Sequence, residues 1–328
     1  MKLFSFSSPF LIIISFAFIL GCSDSETLPS STGKSGEIVV VVEKNLWKDA
    51  VGNSLRNALS HQQIGLPQPE PLFDLINVPQ NDFSRIFQTH RNILLVEISD
   101  TSKTAIRIKK NSWSNPQLII KVTASSDTAM ATLINQSATT LAEYFINEER
   151  ERLVTGYKKL QAKGIIEKLE KNHQITMVIP QEGFAIAKDE KDFVWIRRET
   201  GEMSQGILIY TQPYANQNVF EKEQIIALRD SLTEKYIPGP TDSSYMTTDH
   251  NFSLTTQQVT VNGNYAVELR GLWKVQNDFM GGPFVSYTIY DKKNNRIITA
   301  EGYVFAPKFN KREYLRQLEA ILNSVKGN

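Results

Sequence analysis

The sequence predicts an α+β protein made of two halves, each with a mixed or antiparallel sheet and packed helices. Three patterns support this prediction. A run of isoleucine and valine at residues 38–42 is typical of a strand that is buried on both faces. Residues 265–275 alternate between apolar and polar side chains, which indicates a β-strand. Apolar residues recur at helical spacing in residues 46–60 and 311–325.

The first half is predicted to be an α+β domain of residues 37–172. Three prolines between Gly65 and Pro71 indicate a rigid connector, or alternatively an extended segment that docks a partner. In order, we expect a strand at 38–42, a helix at 46–60, strands at 72–78, 92–99, 105–109 and 117–123, and a helical tract from Ser126 with breaks near Gly156 and Gly164.

The second half is predicted to be an α+β domain of residues 173–328. Its last helix has Asn310 and Glu313 at the spacing of a capping box. In order, we expect strands at 174–179, 183–188, 193–198 and 207–211, a helix at 220–236, strands at 265–275, 284–290 and 296–305, and a helix at 311–325.

Residues 1–21 are typical of a cleaved export signal. The apolar run 10–20 would form a helix about 16 Å long, against about 30 Å of hydrocarbon, so a permanent membrane span is not expected. Ile19-Leu20-Gly21-Cys22 resembles the bacterial lipobox, although Ile19 stands where leucine is usual. The resemblance implies a lipoprotein acylated on Cys22, with palmitate or a related chain. The alternative is an ordinary secretory signal that contains a cysteine by chance.

Residues 22–36 are rich in serine, threonine and glycine, so we expect a flexible tether. Ser23 directly after Cys22 resembles the pattern of lipoproteins released to the outer membrane. Ser23-Asp24-Ser25-Glu26 is similar to short acidic signals that carry some lipoproteins to the cell surface. The expected location is therefore the bacterial cell envelope, at the periplasmic or surface face of the outer membrane.

The charge balance argues against nucleic acid as a partner. The chain has 36 Lys and Arg and 35 Asp and Glu, for a formal net charge of +1, and loss of Lys2 with the signal brings this to zero. A neutral chain does not attract polyanions through its bulk charge. The partners we expect are the membrane, through the N-terminal lipid, and an envelope protein, a glycan or an anionic lipid.

The sequence assigns no catalytic residue, metal site or cofactor. His61, His90, His173 and His250 lie outside metal-binding spacings, and phosphate-binding and nucleophile-elbow motifs are missing. With Cys22 acylated, the mature chain has no thiol. Dispersed serine, histidine and aspartate side chains can still converge in a fold, so an enzymatic function stays open.

Two groups of residues are candidate sites. Gly281 and Gly282 would allow positive φ and a close approach of the backbone to a ligand or a neighbouring strand; the alternative is a simple turn. Four cations surround the start of the last helix, where they oppose the positive end of the helix dipole. We expect them to bind an anion or a partner, or else to be compensated by Glu313 and other local acids. These cations are Lys308, Lys311, Arg312 and Arg316.

Several motifs resemble a family of Bacteroidota envelope lipoproteins that is catalogued as a domain of unknown function. They are residues 66–71, 89–93, 271–273, 278–286, 303–308 and 311–317. The resemblance covers nearly the whole mature chain and implies a bacterial envelope protein, without an activity to carry over. Separately, the element order of the second half is similar to the Mog1/PsbP-like α/β/α sandwich.

These observations predict a membrane-anchored envelope lipoprotein that acts as a non-catalytic binding or interaction module. One alternative is a hydrolase that acts on an envelope polymer, which would require convergent carboxylates or a serine–histidine pair in one cleft. Another is a structural subunit of an envelope assembly, which would expose an aromatic patch around Trp113, Trp195 or Tyr245.

Overall fold

The computed structural model describes residues 27–328 of the chain. The signal peptide predicted at residues 1–21, the acylated Cys22 and the start of the tether lie outside these described residues. Among residues 27–328, every helix is too short or too polar to cross a membrane. The mixture of helices and sheets confirms the predicted α+β class.

The first domain is built on a five-stranded sheet in the order β2-β1-β3-β5-β4. Only β4 runs antiparallel to its neighbour. The strands are β1 (Glu37–Val41), β2 (Asp74–Val78), β3 (Asn92–Ile98), β4 (Ala105–Lys110) and β5 (Leu118–Ala124). The helices are α1 (Lys44–Lys48), α2 (Ala50–Leu59), α3 (Arg85–Gln88), α4 (Asp127–Gln136) and α5 (Ala138–Lys159), and Gln80–Asp82 forms a 3-10 turn.

Helices cover one face of this sheet. The β-branched side chains of β1 are buried on both faces, as the sequence predicts, because α2, α4 and α5 pack on one side. On the other side, Phe87 of α3 and the loop residues Phe83 and Trp113 pack against a cluster that contains Val39 and Ile93. Gly156 lies inside α5 rather than at a break, so the long helix continues to Lys159.

The second domain is an antiparallel sheet in the order β10-β12-β13-β14-β9-β8-β7, with β11 beside β10 along the same edge of β12. Its strands are β6 (Ile175–Thr176), β7 (Phe184–Glu190), β8 (Phe193–Glu199), β9 (Ser204–Pro213), β10 (Tyr245–Thr248), β11 (Thr255–Val261), β12 (Asn264–Gln276), β13 (Gly281–Asp291), β14 (Arg296–Phe305) and β15 (Lys326–Gly327). β6 and β15 form a separate two-stranded ribbon. The helices are α6 (Lys163–His173), α7 (Lys222–Tyr236) and α8 (Arg312–Leu322), and Gln217–Phe220 and Lys292–Asn294 are 3-10 turns.

Both faces of the second sheet are covered, which makes this domain an α/β/α sandwich. Residues such as Val285, Ile298 and Leu318 form a core between the sheet and α6 and α8. Their sequence neighbours, among them Phe284, point to the opposite face and pack against α7. The apolar side chains of α6 belong to this second core, so the domain boundary lies before α6 rather than at residues 172–173.

The predicted tether is too long by about half, because the chain is bonded to the first domain from Pro29 onward. The carbonyl oxygen of Pro29 accepts a hydrogen bond from the backbone N–H of Asn115 at 2.9 Å. Thr32 donates its N–H to Thr89 at 2.9 Å and accepts one from Arg91 at 2.9 Å. A polar, glycine-rich sequence is compatible with an ordered, extended segment when nearby backbone groups supply hydrogen-bond partners, and here the loops before β3 and β5 supply them.

The two domains are joined at the N-terminus of α8, where Glu70 of the first domain replaces the predicted capping box. The two carboxylate oxygens of Glu70 accept the backbone N–H groups of Lys311 at 2.7 Å and Arg312 at 3.0 Å. Glu70 itself is only 4% exposed. A carboxylate in this position satisfies free N–H groups and complements the helix dipole. Neither Asn310 nor Glu313 caps the helix through its side chain.

Three of the four cations predicted to bind an anion or a partner, Lys311, Arg312 and Arg316, are buried in this interface and contact groups of the first domain. Arg312 pairs with Asp74 at 2.7 Å and donates to the carbonyl oxygen of Pro71 at 2.6 Å. Glu313 compensates part of their positive charge, which is the alternative that the sequence analysis gave. Most of the compensating groups belong to the first domain, and the sequence alone could not show that they lie nearby.

Further contacts complete the interface around these cations. Arg316 donates to the carbonyl oxygen of Leu72, and its guanidinium lies 4.7 Å from the ring centroid of Phe73. Lys311 donates through Nζ to Gln68 at 2.6 Å. Burial lowers the pKa of Arg316, so its partners must offset the cost of removing the charge from water. Lys308, the fourth predicted cation, stays exposed and lies 3.6 Å from Glu202.

Replacing Glu70 tests how strongly the interface depends on its carboxylate. We expect Glu70→Ala to lower the free energy of unfolding by about 2 kcal/mol or more, since two buried N–H groups lose their acceptor. Urea unfolding followed by circular dichroism measures the change. Glu234→Ala, at an exposed position of α7, is the control and should stay within about 0.5 kcal/mol of the wild type. Equal stability of the two variants would contradict the capping role.

Gly282 provides a second test, because the backbone of the neighbouring strand β14 approaches it closely. An added Cβ would overlap the carbonyl oxygen of Val304, whereas a Cβ at Gly156 in α5 would meet nothing within 4 Å. Gly282→Ala should therefore destabilise the protein by about 2 kcal/mol or more. Gly156→Ala should stabilise it by about 0.5 kcal/mol. Thermal melts of both variants check the pair, and a neutral Gly282→Ala would disprove the close approach.

Candidate functional site

The second domain has a pocket on the α7 face of its sheet, beyond the C-terminal end of α7, and this pocket is the candidate functional site. Its volume is about 620 Å³, which is in the usual range for ligand sites. We call it the aromatic pocket. Its floor and walls carry the side chains of Trp195, Trp273, Tyr303, Phe305, Met246 and Met280, and residues 237–240 close one side.

The rings of the floor pack edge to face. Trp273 and Tyr303 have centroids 5.3 Å apart at 68°, and Trp195 donates its indole N–H to the Tyr303 hydroxyl at 2.9 Å. Tyr303 lies over Gly206, where any Cβ would overlap its ring. Burial raises the pKa of Tyr303, so its hydroxyl stays neutral at physiological pH. The floor is thus a fixed, uncharged aromatic surface.

Charged groups are confined to the mouth of the aromatic pocket. Arg197 and Glu199 form an ion pair of 3.1 Å, and both side chains are exposed. The Arg197 guanidinium also lies 5.2 Å from the ring centroid of Trp195. A ligand would therefore meet polar groups at the entrance and apolar groups deeper in the pocket.

A buried ion pair fixes α7, and residues 237–240, which follow this helix, form one wall of the aromatic pocket. Arg229 on α7 donates twice to Glu301 on β14, with both distances 2.9 Å, and both side chains are fully buried. Arg229 also donates to Thr248 at 2.9 Å and lies 4.0 Å from the ring centroid of Phe284. Burial raises the pKa of Glu301, and the Arg229 charge opposes that shift. This network attaches α7 to the sheet at a defined position.

The hairpin between β12 and β13 carries an exposed aromatic residue, Phe279, directly before the pocket-lining Met280. Asn277 adopts a left-handed conformation with φ of 67°, and the Asp278 carboxylate accepts the N–H groups of Phe279 at 2.6 Å and Met280 at 3.1 Å. Phe279 is fully exposed. A fully exposed phenylalanine is a candidate contact for a partner.

The predicted glycine pair follows this hairpin, and its close contacts are with neighbouring strands. Gly281 and Gly282 begin β13 opposite Lys274 and Trp273, and neither has positive φ. They allow a close approach of strands, which was one of the options that the sequence left open. The pocket contact in this segment is made by Met280.

The aromatic patch expected of a structural subunit does not form around the three residues that the sequence singled out. Trp113, Trp195 and Tyr245 are each half-buried and lie in different places: Trp113 packs on Phe83 in the first domain, at 5.7 Å between ring centroids. Trp195 contributes to the aromatic pocket instead. Within residues 27–328, no three histidine, aspartate or glutamate side chains are grouped in a way that could hold a metal ion.

Sequence comparisons match each half of the chain to a family. Residues 162–324 match the family model described as Domain of unknown function (DUF4837), and residues 31–158 match Domain of unknown function (DUF8532). The resemblance to a domain of unknown function is thereby confirmed. No curated protein matches the chain.

Among solved structures, the chain is similar to Mog1. A point mutant of protein Mog1 has 13% sequence identity and a TM-score of 0.30, over 47% of this chain and 90% of that chain. The Saccharomyces cerevisiae Ran-binding protein Mog1p has 13% identity and a TM-score of 0.31 over the same shares.

The family boundaries agree with a division of the chain just before α6. Both domains of the chain match families that are described only as domains of unknown function.

Proposed function

We propose that this protein is a lipid-anchored protein of the bacterial cell envelope that binds a partner through the aromatic pocket of its second domain. The lipobox-like Ile19-Leu20-Gly21-Cys22 supports the anchor. The observation that carries the binding function is the aromatic pocket, next to whose lining residue Met280 the exposed Phe279 lies in the sequence. The anchor would place the protein at the outer membrane.

The chemistry of the aromatic pocket favours an apolar group of a partner as its occupant. Aromatic and methionine side chains are enriched at protein interaction sites relative to the rest of the surface, and both line this pocket. The floor is held by ring contacts and a hydrogen bond, so little conformational entropy is lost on binding. Arg197 and Glu199 at the mouth can orient a polar backbone while an apolar side chain enters.

The same geometry gives little support to the hydrolase alternative. Glu199 is the one carboxylate among the pocket-lining residues, and it is paired with Arg197. Hydrolysis of a polymer by two carboxylates requires a second acid across the cleft. We therefore propose binding rather than catalysis at this site.

Replacing Cys22 tests the anchor. We expect Cys22→Ala to move the protein from the membrane fraction to a soluble or unprocessed form, because acyl chains on this cysteine would provide the membrane affinity. Labelling of cells with an alkyne analogue of palmitate measures acylation directly. Ser25→Ala, three residues further along, is the control and should keep the label. Membrane association of Cys22→Ala equal to that of the wild type would refute lipid anchoring.

A neutral hydrophobic dye tests the pocket. Ala187 lines the aromatic pocket and is exposed, so Ala187→Glu would bring a carboxylate to its wall. We expect N-phenyl-1-naphthylamine to bind the wild type and to bind Ala187→Glu at least about tenfold more weakly, a loss of about 1.4 kcal/mol. Ala215→Glu, at an exposed turn outside the pocket, should bind like the wild type. Equal dye affinity of all three proteins would exclude an apolar binding site here.

A further inference from the structure

A second cleft lies on the same face of the second domain, at the N-terminal end of α7. Four aromatic rings line it, and we call it the tyrosine cleft: Tyr214, Phe220, Tyr265 and Tyr290. Tyr214 and Tyr290 have ring centroids 4.5 Å apart, and Phe220 meets Tyr265 edge to face at 4.9 Å. The cleft has a volume of about 650 Å³.

The tyrosine cleft is separate from the aromatic pocket. Tyr265 lies near the start of β12 and Trp273 near its end, so the two sites are on the order of 27 Å apart along the strand. Helix α7 lies between them, with Glu221 at one end and residues 237–240 at the other. Each site can therefore bind its own ligand.

Primary amides supply most of the polar groups of the tyrosine cleft. Gln217, Asn218 and Gln258 line it with exposed side chains, and Glu221 is the one charged residue in the lining. A primary amide both donates and accepts hydrogen bonds. This lining differs from that of the aromatic pocket, whose remaining residues are mainly methionine, proline and aliphatic side chains.

Among the four aromatic side chains of the tyrosine cleft, that of Tyr265 is the most exposed. Its side chain is 43% exposed although it lies in a strand, and Phe220 supports it from one edge. An exposed ring held in a fixed orientation can stack on a flat apolar ligand face at low entropic cost.

The surrounding backbone holds the cleft in this shape. The N–H of Tyr214 donates to Asn295 at 3.2 Å, and the side chain of Asn216 accepts the N–H of Asn218 at 2.9 Å. Tyr290 donates its hydroxyl to Asn295 at 3.4 Å. Strands β12 and β13 pair next to the site, which keeps Tyr265 and Tyr290 in register.

We propose that the tyrosine cleft binds a neutral saccharide chain. A sugar ring has an apolar C–H face, which stacks on aromatic rings, and hydroxyls at its edge, which both donate and accept hydrogen bonds. Exposed tyrosines next to primary amides match both requirements. A strongly anionic ligand would meet the Glu221 carboxylate without a lining cation to balance it. This inference concerns a second site and does not depend on the function proposed for the aromatic pocket.

Titration calorimetry with hexasaccharides tests the proposal on the mature lipoprotein, held in micelles of a detergent without a sugar headgroup. The probes are the hexamers of β-1,4-glucose, β-1,3-glucose, β-1,4-xylose, β-1,4-mannose and N-acetylglucosamine. We expect at least one to bind with a dissociation constant of about 1 mM or tighter. Tyr265→Ala should weaken that binding about tenfold or more, because the stacking ring is lost.

Matched variants separate stacking from general destabilisation. Tyr144→Ala removes a ring of similar exposure, 41%, from the first domain and should leave the affinity unchanged. Tyr265→Phe keeps the stacking face and should stay within about threefold of the wild type. Gln258→Ala should weaken binding about threefold or more while the thermal melt stays the same. Ala187→Glu, in the aromatic pocket, should have no effect.

Three results would overturn the assignment. One is the lack of binding by any of the five hexasaccharides up to about 10 mM. Another is a Tyr265→Ala affinity equal to that of the wild type. The third is saccharide binding that Ala187→Glu abolishes and Tyr265→Ala does not, which would place the sugar in the aromatic pocket. A proline-rich peptide that binds the cleft when no saccharide does would identify a peptide site instead.

Discussion

The carboxylate of Glu70 at the N-terminus of α8 is the interaction on which the arrangement of the two domains depends. It gives two buried N–H groups their acceptors, and it provides negative charge beside three buried cations, Lys311, Arg312 and Arg316. Buried cations are tolerated only where acids and carbonyl oxygens compensate them. The first domain supplies most of these groups, so the charges of the first turn of α8 are compensated mainly across the domain interface, while its apolar face packs in the core of the second domain.

In the second domain, close packing of aromatic rings against the backbone fixes the shape of the sheet face that carries the two proposed binding sites. The ring of Tyr303 can lie over β9 because residue 206 is a glycine, and the carbonyl oxygen of Val304 on β14 can lie close to β13 because residue 282 is a glycine. The ion pair of Arg229 and Glu301 then fixes α7 between the aromatic pocket and the tyrosine cleft. The two sites share one rigid support and differ in the side chains that line them.

Local patterns in the sequence predicted most of the fold. Period-two alternation and β-branched runs located the long strands, and apolar stripes located α7 and α8. Strands β10 and β11 were missed because polar residues dominate Thr255–Val261 and β10 is short. The aromatic pocket was not predictable, since six strands contribute side chains to it. The domain interface was not predictable either, because Glu70 and Lys311 are 241 residues apart in the sequence. Such contacts depend on long-range register, which no local pattern contains.

The attachment of residues 29–32 to the first domain determines how far the protein can stand from a membrane. With Cys22 acylated as proposed, only the seven residues from 22 to 28 remain between the lipid and the first bonded residue, Pro29. Fully extended, they would span about 24 Å. The edge of the first domain near Asn115 would therefore stay close to the headgroups. The distance of the two binding sites from the bilayer would then be set by the folded domains rather than by a long flexible tether.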